Sequence, residues 1–238
     1  MHYLDVTLPS AAENLALDEA LLLAAESGDG GEVLRVWEWP APAVVLGSGC
    51  RLAEDVDETA CAADAVPLLR RSSGGGTVLL GRGCLLYSLI LRYEHDPALS
   101  DIRPSYRFIL AHIGRALAEG TGAVEQAGVS DLALDSRKFS GNAQQRKRSF
   151  LLHHGTLLYD FDLSQIPTYL REPPRQPDYR AGRAHLAFLR NLPLQGEELK
   201  RRLRRAWAAD KPLLAWPTEE VRRLTAEKYT NPEWLRRR

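Results

Sequence analysis

The sequence predicts an α+β protein in which one mixed β-sheet is flanked by helices. Short apolar, β-branched runs crowd the middle of the 238-residue chain, while helical patterns are few and unequally spaced. No fixed-period repeat or low-complexity tract is present, which argues against a solenoid or propeller. Tyr3–Leu8 reads as a first strand. Ser10 with Glu13 three residues on is a capping box that opens a helix through about Ala25. Val33–Trp37 and Ala43–Leu46 read as two strands joined by the proline turn Trp39-Pro40-Ala41-Pro42, and another strand ends at the pair Arg70-Arg71. Thr77–Leu80 and Leu85–Leu91 flank Gly81-Arg82-Gly83 as in a hairpin, and Pro104 marks the N1 position of a helix reaching Gly120. Strands follow at about Leu132–Leu134, Arg137–Ala143 and Phe150–Leu158. From about 163 the pattern changes to a Pro-rich linker (Pro167, Pro173, Pro174, Pro177) and a basic helical tail. Its helix Gly196–Trp207 has an apolar stripe of Leu199, Leu203 and Trp207. Residues 1–238 are read as a single domain carrying this tail.

Composition bounds the function. With 45% hydrophobic and 26% charged residues the chain is an ordinary globular protein. No apolar run approaches the roughly 20 residues of a membrane helix, and the N-terminus lacks a signal-peptide pattern, so no membrane role and a cytoplasmic location are expected. Cys50, Cys61 and Cys84 have no metal-ligand spacing, so neither a disulfide framework nor a metal site is expected. Net charge is zero, yet residues 1–100 carry −9 and residues 101–238 carry +9. The two halves could neutralise each other in the fold, or the basic half could meet an acidic partner. It lacks a nucleic-acid-binding motif, and its arginines wrap a helix with an apolar stripe, so nucleic acid is not expected. Of 31 basic residues 26 are arginine, and the first lysine is Lys138.

Two segments carry chemistry. In Arg70-Arg71-Ser72-Ser73-Gly74-Gly75-Gly76-Thr77 the three glycines cost conformational entropy that a simple turn does not require. Bare N–H groups in series can cradle an anion, and two arginines beside them can hold a phosphate or carboxylate. A plain glycine hairpin is the alternative. Strand alternation sends Arg70 and Arg71 to opposite sides, so one of them faces a ligand. In the second segment, alternation puts Lys138, Ser140 and Asn142 on one face, which suits either a site or a solvent face. His153 and His154 point to opposite sides of the next strand, so at most one joins that face.

Taken in order, the Arg-Arg-Ser-Ser-Gly-Gly-Gly loop, the segment Arg137-Lys138-Phe139-Ser140-Gly141-Asn142-Ala143 and His153-His154-Gly155-Thr156-Leu157-Leu158 resemble the lipoate-protein ligase A family. Asn14–Glu19, Val44–Gly47, Glu227-Lys228-Tyr229 and Trp234 extend the match over nearly the whole chain. The resemblance implies a biotin/lipoate ligase-like catalytic domain without a large C-terminal accessory domain. It further implies that ATP with Mg2+, as substrate, activates lipoate or octanoate, and that the acyl group passes to a lysine of a lipoyl carrier domain. Lys138 would stabilise the activation step. Arg70, Arg71, Ser73, Gly74, Gly75, Gly76, Thr77, Ser140, Gly141, Asn142, Ala143, His154, Gly155 and Thr156 would bind acyl group and nucleotide. The carrier is expected to be acidic and to dock on the basic half, and a separate accessory protein could assist. Two departures stand out. Leu80-Gly81 and Gly83-Cys84 occupy places where many family ligases have His-Asp and Gly-Asn. The octanoyltransferases of the group, which use no ATP, carry a cysteine where this chain has Ala123–Gln126. The alternatives are a transferase acting without ATP and a catalytically inactive acyl- or carrier-binding homologue.

Overall fold

A computed structural model describes residues 1–173 and 176–238, so Pro174 of the Pro-rich linker lies outside the described residues. The chain runs through β1 (His2–Asp5), α1 (Ala11–Ser27), β2 (Val33–Glu38), β3 (Ala43–Leu46), α2 (Leu52–Asp55), α3 (Glu58–Ala63), β4 (Leu68–Arg70), β5 (Val78–Leu80) and β6 (Cys84–Arg92). It continues with α4 (Ile102–Ala118), β7 (Val124–Ala127), β8 (Asp131–Leu134), β9 (Arg137–Arg146) and β10 (Phe150–Leu158). The remainder holds α5 (Ile166–Tyr169), α6 (His185–Phe188), α7 (Gly196–Ala206), β11 (Lys211–Pro212), α8 (Thr218–Leu224) and α9 (Pro232–Leu235). Eight strands form a mixed sheet in the order β11-β1-β2-β6-β10-β9-β8-β7, and β4-β3-β5 form a small second sheet.

The large sheet is covered on both faces. Trp37, Leu86, Ile90 and Leu152 alternate toward α1, and Leu34, Leu85, Leu89 and Leu151 alternate toward α4 and α7. α1 begins at the expected box, with Ser10 Oγ accepting from Glu13 N and Glu13 reaching back to Ser10 N. Leu15, Leu17 and Leu22 on different sides of this helix are all buried. A helix buried on several sides needs more cover than the sheet provides, and Val221, Leu224 and Tyr229 add to it. Each such leucine contributes roughly 1.5–3 kcal/mol of burial.

The proline turn after Glu38 joins the two strands as expected, and it carries the chain from the large sheet to the small one. The structure also differs from the expected elements. The residues around Gly81–Gly83 form no hairpin, because β5 pairs with β3 whereas β6 pairs with β2 and β10. Gly83 adopts φ +81° there, and a Cβ on it would lie 2.1 Å from Asp160 O, so the glycine serves a close crossing of two chains. The edge strand β7 carries no apolar alternation in sequence and was not expected. Pro104 sits inside the first turn of a helix that starts at Ile102, where its missing N–H costs nothing. No helix of the described residues is long and apolar enough to cross a membrane.

Candidate functional site

Alternation along β2, β6 and β10 places Arg35, Ser88 and His154 on the α1 face, in one polar row under Asp18. Arg35 is fully buried and donates to Asp18 Oδ1 (2.5 Å), Asn14 Oδ1 (2.6 Å), Asn14 O (2.8 Å) and Val6 O (3.1 Å). Burial alone would raise the Asp18 pKa, but the Arg35 charge and His154 outweigh it and hold the carboxyl below its ordinary value. His154 Nδ1 lies 3.8 Å from Asp18 Oδ2, and its Nε2 lies 2.5 Å from Ser73 Oγ. A row of side chains thus runs from the helix to the glycine loop.

The loop is built around Arg71. Its guanidinium donates to Ser73 Oγ (3.1 Å), Val45 O (3.2 Å), Gly74 O (2.6 Å) and Gly76 O (2.8 Å). Gly75 O accepts from Cys50 Sγ (3.4 Å) and Ser73 O from Ser48 N (2.8 Å). The carbonyls are therefore turned inward, while the N–H groups of Gly74, Gly75 and Gly76 have no partner among the described residues and are exposed. Gly75 needs its positive φ of +85°. Neither Arg70 nor Arg71 meets a carboxylate among the described residues. Burial lowers the Arg71 pKa to about 10, which still leaves it charged at neutral pH. Arg71, a buried cation held only by neutral oxygens at the edge of the cleft, favours an anion beside it.

Lys138 faces this loop from β9. A bulge on β9 pairs Leu132 with Ser140 but Ala133 with Lys138, which breaks the expected alternation. Lys138 is thrown to the side of Gly141, whose missing Cβ would sit 2.8 Å from its Nζ. Ser140 and Asn142 still share a face, joined by Asn142 Nδ2 donating to Ser140 Oγ (3.1 Å). Lys138 Nζ pairs with Asp131 Oδ1 (2.8 Å), and Tyr179 OH donates to Asp131 Oδ2 (2.7 Å). Asn142 also accepts from Tyr87 OH and lies over Gly155, where a Cβ would be 1.8 Å from Asn142 Oδ1.

Many of these groups line one cleft that is open at its mouth and joins an apolar wall to convergent polar groups, as small-molecule sites do. Leu15, Trp37, Val45, Val78, Leu80 and Leu86 make its apolar part. Of the expected binding residues, Arg71, Gly75, Gly76, Thr77, Lys138, Gly141, Asn142, Ala143, His154, Gly155 and Thr156 line it. Arg70, Ser73, Gly74 and Ser140 do not. Ser73 and Ser140 stand one layer behind, bonded to His154 and Asn142.

The catalytic-domain model of lipoyl protein ligases A and B matches residues 10–206. The chain belongs to that family. It is an enzyme of the lipoate ligase and octanoyltransferase group. It is 29% identical to octanoyltransferase LipM of Kyrpidia tusciae over 95% of this chain and 91% of that one. It is 31% identical to octanoyltransferase LipM of Oceanobacillus iheyensis over 74% and 73% of the two chains. To the protein named "Probable lipoate-protein ligase A" of Mycoplasma pneumoniae the identity is 31%, over 66% of this chain and 45% of that one. The bi-partite lipoate protein ligase of Thermoplasma acidophilum superposes with a TM-score of 0.83 at 20% identity, covering 99% of this chain and 95% of that one, which shows the lipoate ligase fold.

Within this family site the thiols are placed unfavourably for covalent chemistry. None of the three cysteines lines the cleft. Burial, and for Cys50 also Asp55, raises all three thiol pKa values, so little thiolate forms at neutral pH. Asp18 and Asp131 are the cleft's two carboxylates, and no group of three metal-ligating side chains exists among the described residues. The basic helix α7 is largely neutralised in place: Arg201 and Arg202 pair with Glu198, Arg205 with Glu119, and Lys200 with Asp5, Glu38 and Glu197. The sequence reading missed Asp18, Arg35 and Asp131. Arg35 did leave a signal, as a charge inside the apolar run Val33–Trp37 opposite a helix with Asn14 and Asp18 one turn apart.

Proposed function

We propose that this chain is an ATP-dependent lipoate-protein ligase. The lipoate or octanoate carboxylate would attack the α-phosphorus of ATP, releasing pyrophosphate and leaving an acyl-adenylate. A carrier lysine amine would then attack the acyl carbon, forming the amide and releasing AMP. The observation that carries this reading is a cleft that joins an apolar slot to unpartnered loop N–H groups, the carboxylate-free Arg71 and the ammonium of Lys138, and offers no thiol. Transfer through a thioester has no nucleophile there. Activation through an anhydride needs none, only stabilisation of charge on phosphate and leaving carboxyl oxygens.

In this reading the bare N–H groups of Gly75 and Gly76 and the charge of Arg71 take the phosphate. Lys138, a compact ammonium steered by Asp131, bridges carboxylate and α-phosphate. Asn142 and Thr156 orient the polar end of the substrate, and the apolar wall takes the chain. Mg2+ would enter with the nucleotide phosphates. Both cleft carboxylates are already engaged, Asp18 by Arg35 and Asp131 by Lys138 and Tyr179, so the phosphates themselves would carry the ion. The final acceptor is a lipoyl carrier domain. A separate accessory protein fits the description of the Thermoplasma enzyme as bi-partite.

The names of the curated relatives favour a second reading, octanoyl transfer without ATP. One experiment separates the two. Pure protein is incubated with an apo carrier domain and either ATP plus lipoate or octanoyl-carrier protein without ATP, and the carrier is weighed. Acylation with pyrophosphate release only in the ATP arm is expected. Acylation in the ATP-free arm alone would overturn the ligase reading.

A further inference from the structure

After α8 the chain returns behind the glycine loop. One π-helical turn, Thr225–Tyr229, brings two neighbours onto one carboxylate: Glu19 accepts from Lys228 Nζ (2.7 and 2.8 Å) and from Tyr229 OH (2.8 Å). Glu19 also accepts from Gln145 Nε2 (3.2 Å), and Ser72 Oγ donates to Gln145 Oε1 (2.5 Å). Then α9 sets Trp234 against the other end of the same turn of chain. Trp234 Nε1 donates to Arg70 O (2.8 Å), and Arg70 returns two bonds to Leu235 O (2.9 and 2.7 Å). The Trp234 ring holds two cations over it, Lys228 Nζ at 4.4 Å and Arg237 Cζ at 4.1 Å.

Arg70 spends its remaining donors on Gly47 O and Cys50 O, both at 2.8 Å. Those two residues are what the loop leans on. Gly47 abuts Gly75 O so closely that a Cβ would lie 1.9 Å from it, and Cys50 Sγ donates to the same oxygen. A guanidinium with no exposed surface cannot keep this place with two donors unpaired. Leu235 O is therefore part of what holds Arg70, and Arg70 part of what holds the loop's support.

We infer that residues 225–237 form a positioning strap that fixes the height of the glycine loop from behind, with Trp234, Lys228 and Arg70 as positioning residues. None of them lines the cleft. The functional consequence rests on the ligase reading, because only then does loop height set the affinity for a nucleotide. The mechanical coupling does not depend on that reading.

The test uses the full-length chain and Trp234→Phe, which keeps an aromatic ring beside the two cations and removes the indole N–H to Arg70 O together with part of the ring. Amide exchange is followed at Ser48, bonded to Ser73 O, and at Arg71, bonded to Leu46 O. Loss of one such bond should speed exchange at both by roughly fivefold, with core amides of β6 and β10 unchanged. In the same variant the KM for ATP should rise several-fold while kcat at saturation stays within twofold. Arg236→Ala, which breaks only the surface pair with Glu58, should move neither readout. If Trp234→Phe does not fold, Arg237→Ala removes one cation from the ring and should shift the same amides in the same direction by less. Unchanged exchange at Ser48 and Arg71, with faster exchange confined to 225–237, overturns the strap. Faster exchange in an enzyme that never binds ATP overturns the ligase reading and leaves the strap standing.

Discussion

Gly47→Ala concentrates the geometry of the site in one methyl group. Gly47 has no positive φ, so alanine suits its backbone and the cost lies in space alone. The new Cβ would stand 1.9 Å from Gly75 O, whereas such contacts do not fall below 3.0 Å, so the loop carbonyl has to retreat by about 1.1 Å. It cannot retreat alone, because Arg71 holds the carbonyls on both sides of it. Overpacking of this kind costs roughly 1–3 kcal/mol, and stiffening the unfolded chain returns about 0.4–1 kcal/mol. A net loss of about 1–2 kcal/mol should lower Tm by only several degrees in a chain of this size. Misplacement by about 1 Å at a reacting centre costs on the order of 100-fold in rate, so activity should fall far more than stability. The assay is ATP-dependent acylation of a carrier domain beside a thermal melt, with Gly49→Ala, where a Cβ meets open space, as control. A Gly47→Ala enzyme retaining a third or more of wild-type kcat/KM, with the control equally active, would refute the reasoning.

Lys138→Ala should lower acyl-adenylate formation by roughly 10²–10³-fold with an unchanged melt, measured by pyrophosphate release. Lys138→Arg should not restore it, since a planar fork does not fit beside Asp131 over Gly141 as an ammonium does. The triple variant Cys50→Ala, Cys61→Ala, Cys84→Ala should keep ATP-dependent transfer within a few-fold; loss of transfer, with an acyl adduct on the wild-type enzyme by mass spectrometry, would move the mechanism to a thioester. Burial lowers the His153 pKa to about 3, against about 6.5 when unfolded. Its neutral form therefore contributes stability that is fully present above about pH 6.5 and is lost as pH falls towards about 3, at a limiting slope of roughly 1.4 kcal/mol per pH unit. Denaturant titrations of His153→Gln should show a shallower decline over that window, and an identical slope would exclude His153 as its source.

Much of this protein was written locally. The capping box at Ser10 and Glu13, the strand runs, the triple glycine and the lone early lysine are signals carried by neighbouring residues, because propensity, backbone freedom and side-chain type act over a few positions. Their order along the chain was enough to indicate the family. What the chain could not disclose by itself is which residues meet. Pairing of β5 with β3 instead of β6, and the bulge that turns Lys138 toward Gly141, depend on strand order and register, which are settled by how two layers of helices cover the sheet. Ser73 and His154 belong to the expected site, but nothing in sequence ties Asp18 and Arg35 to them, and Arg70 looks like a ligand residue beside Arg71. Only the packed sheet makes the first four a row and gives Arg70 to the C-terminal strap, because a buried charge must take its partners from whatever chain the fold brings within about 3 Å of it.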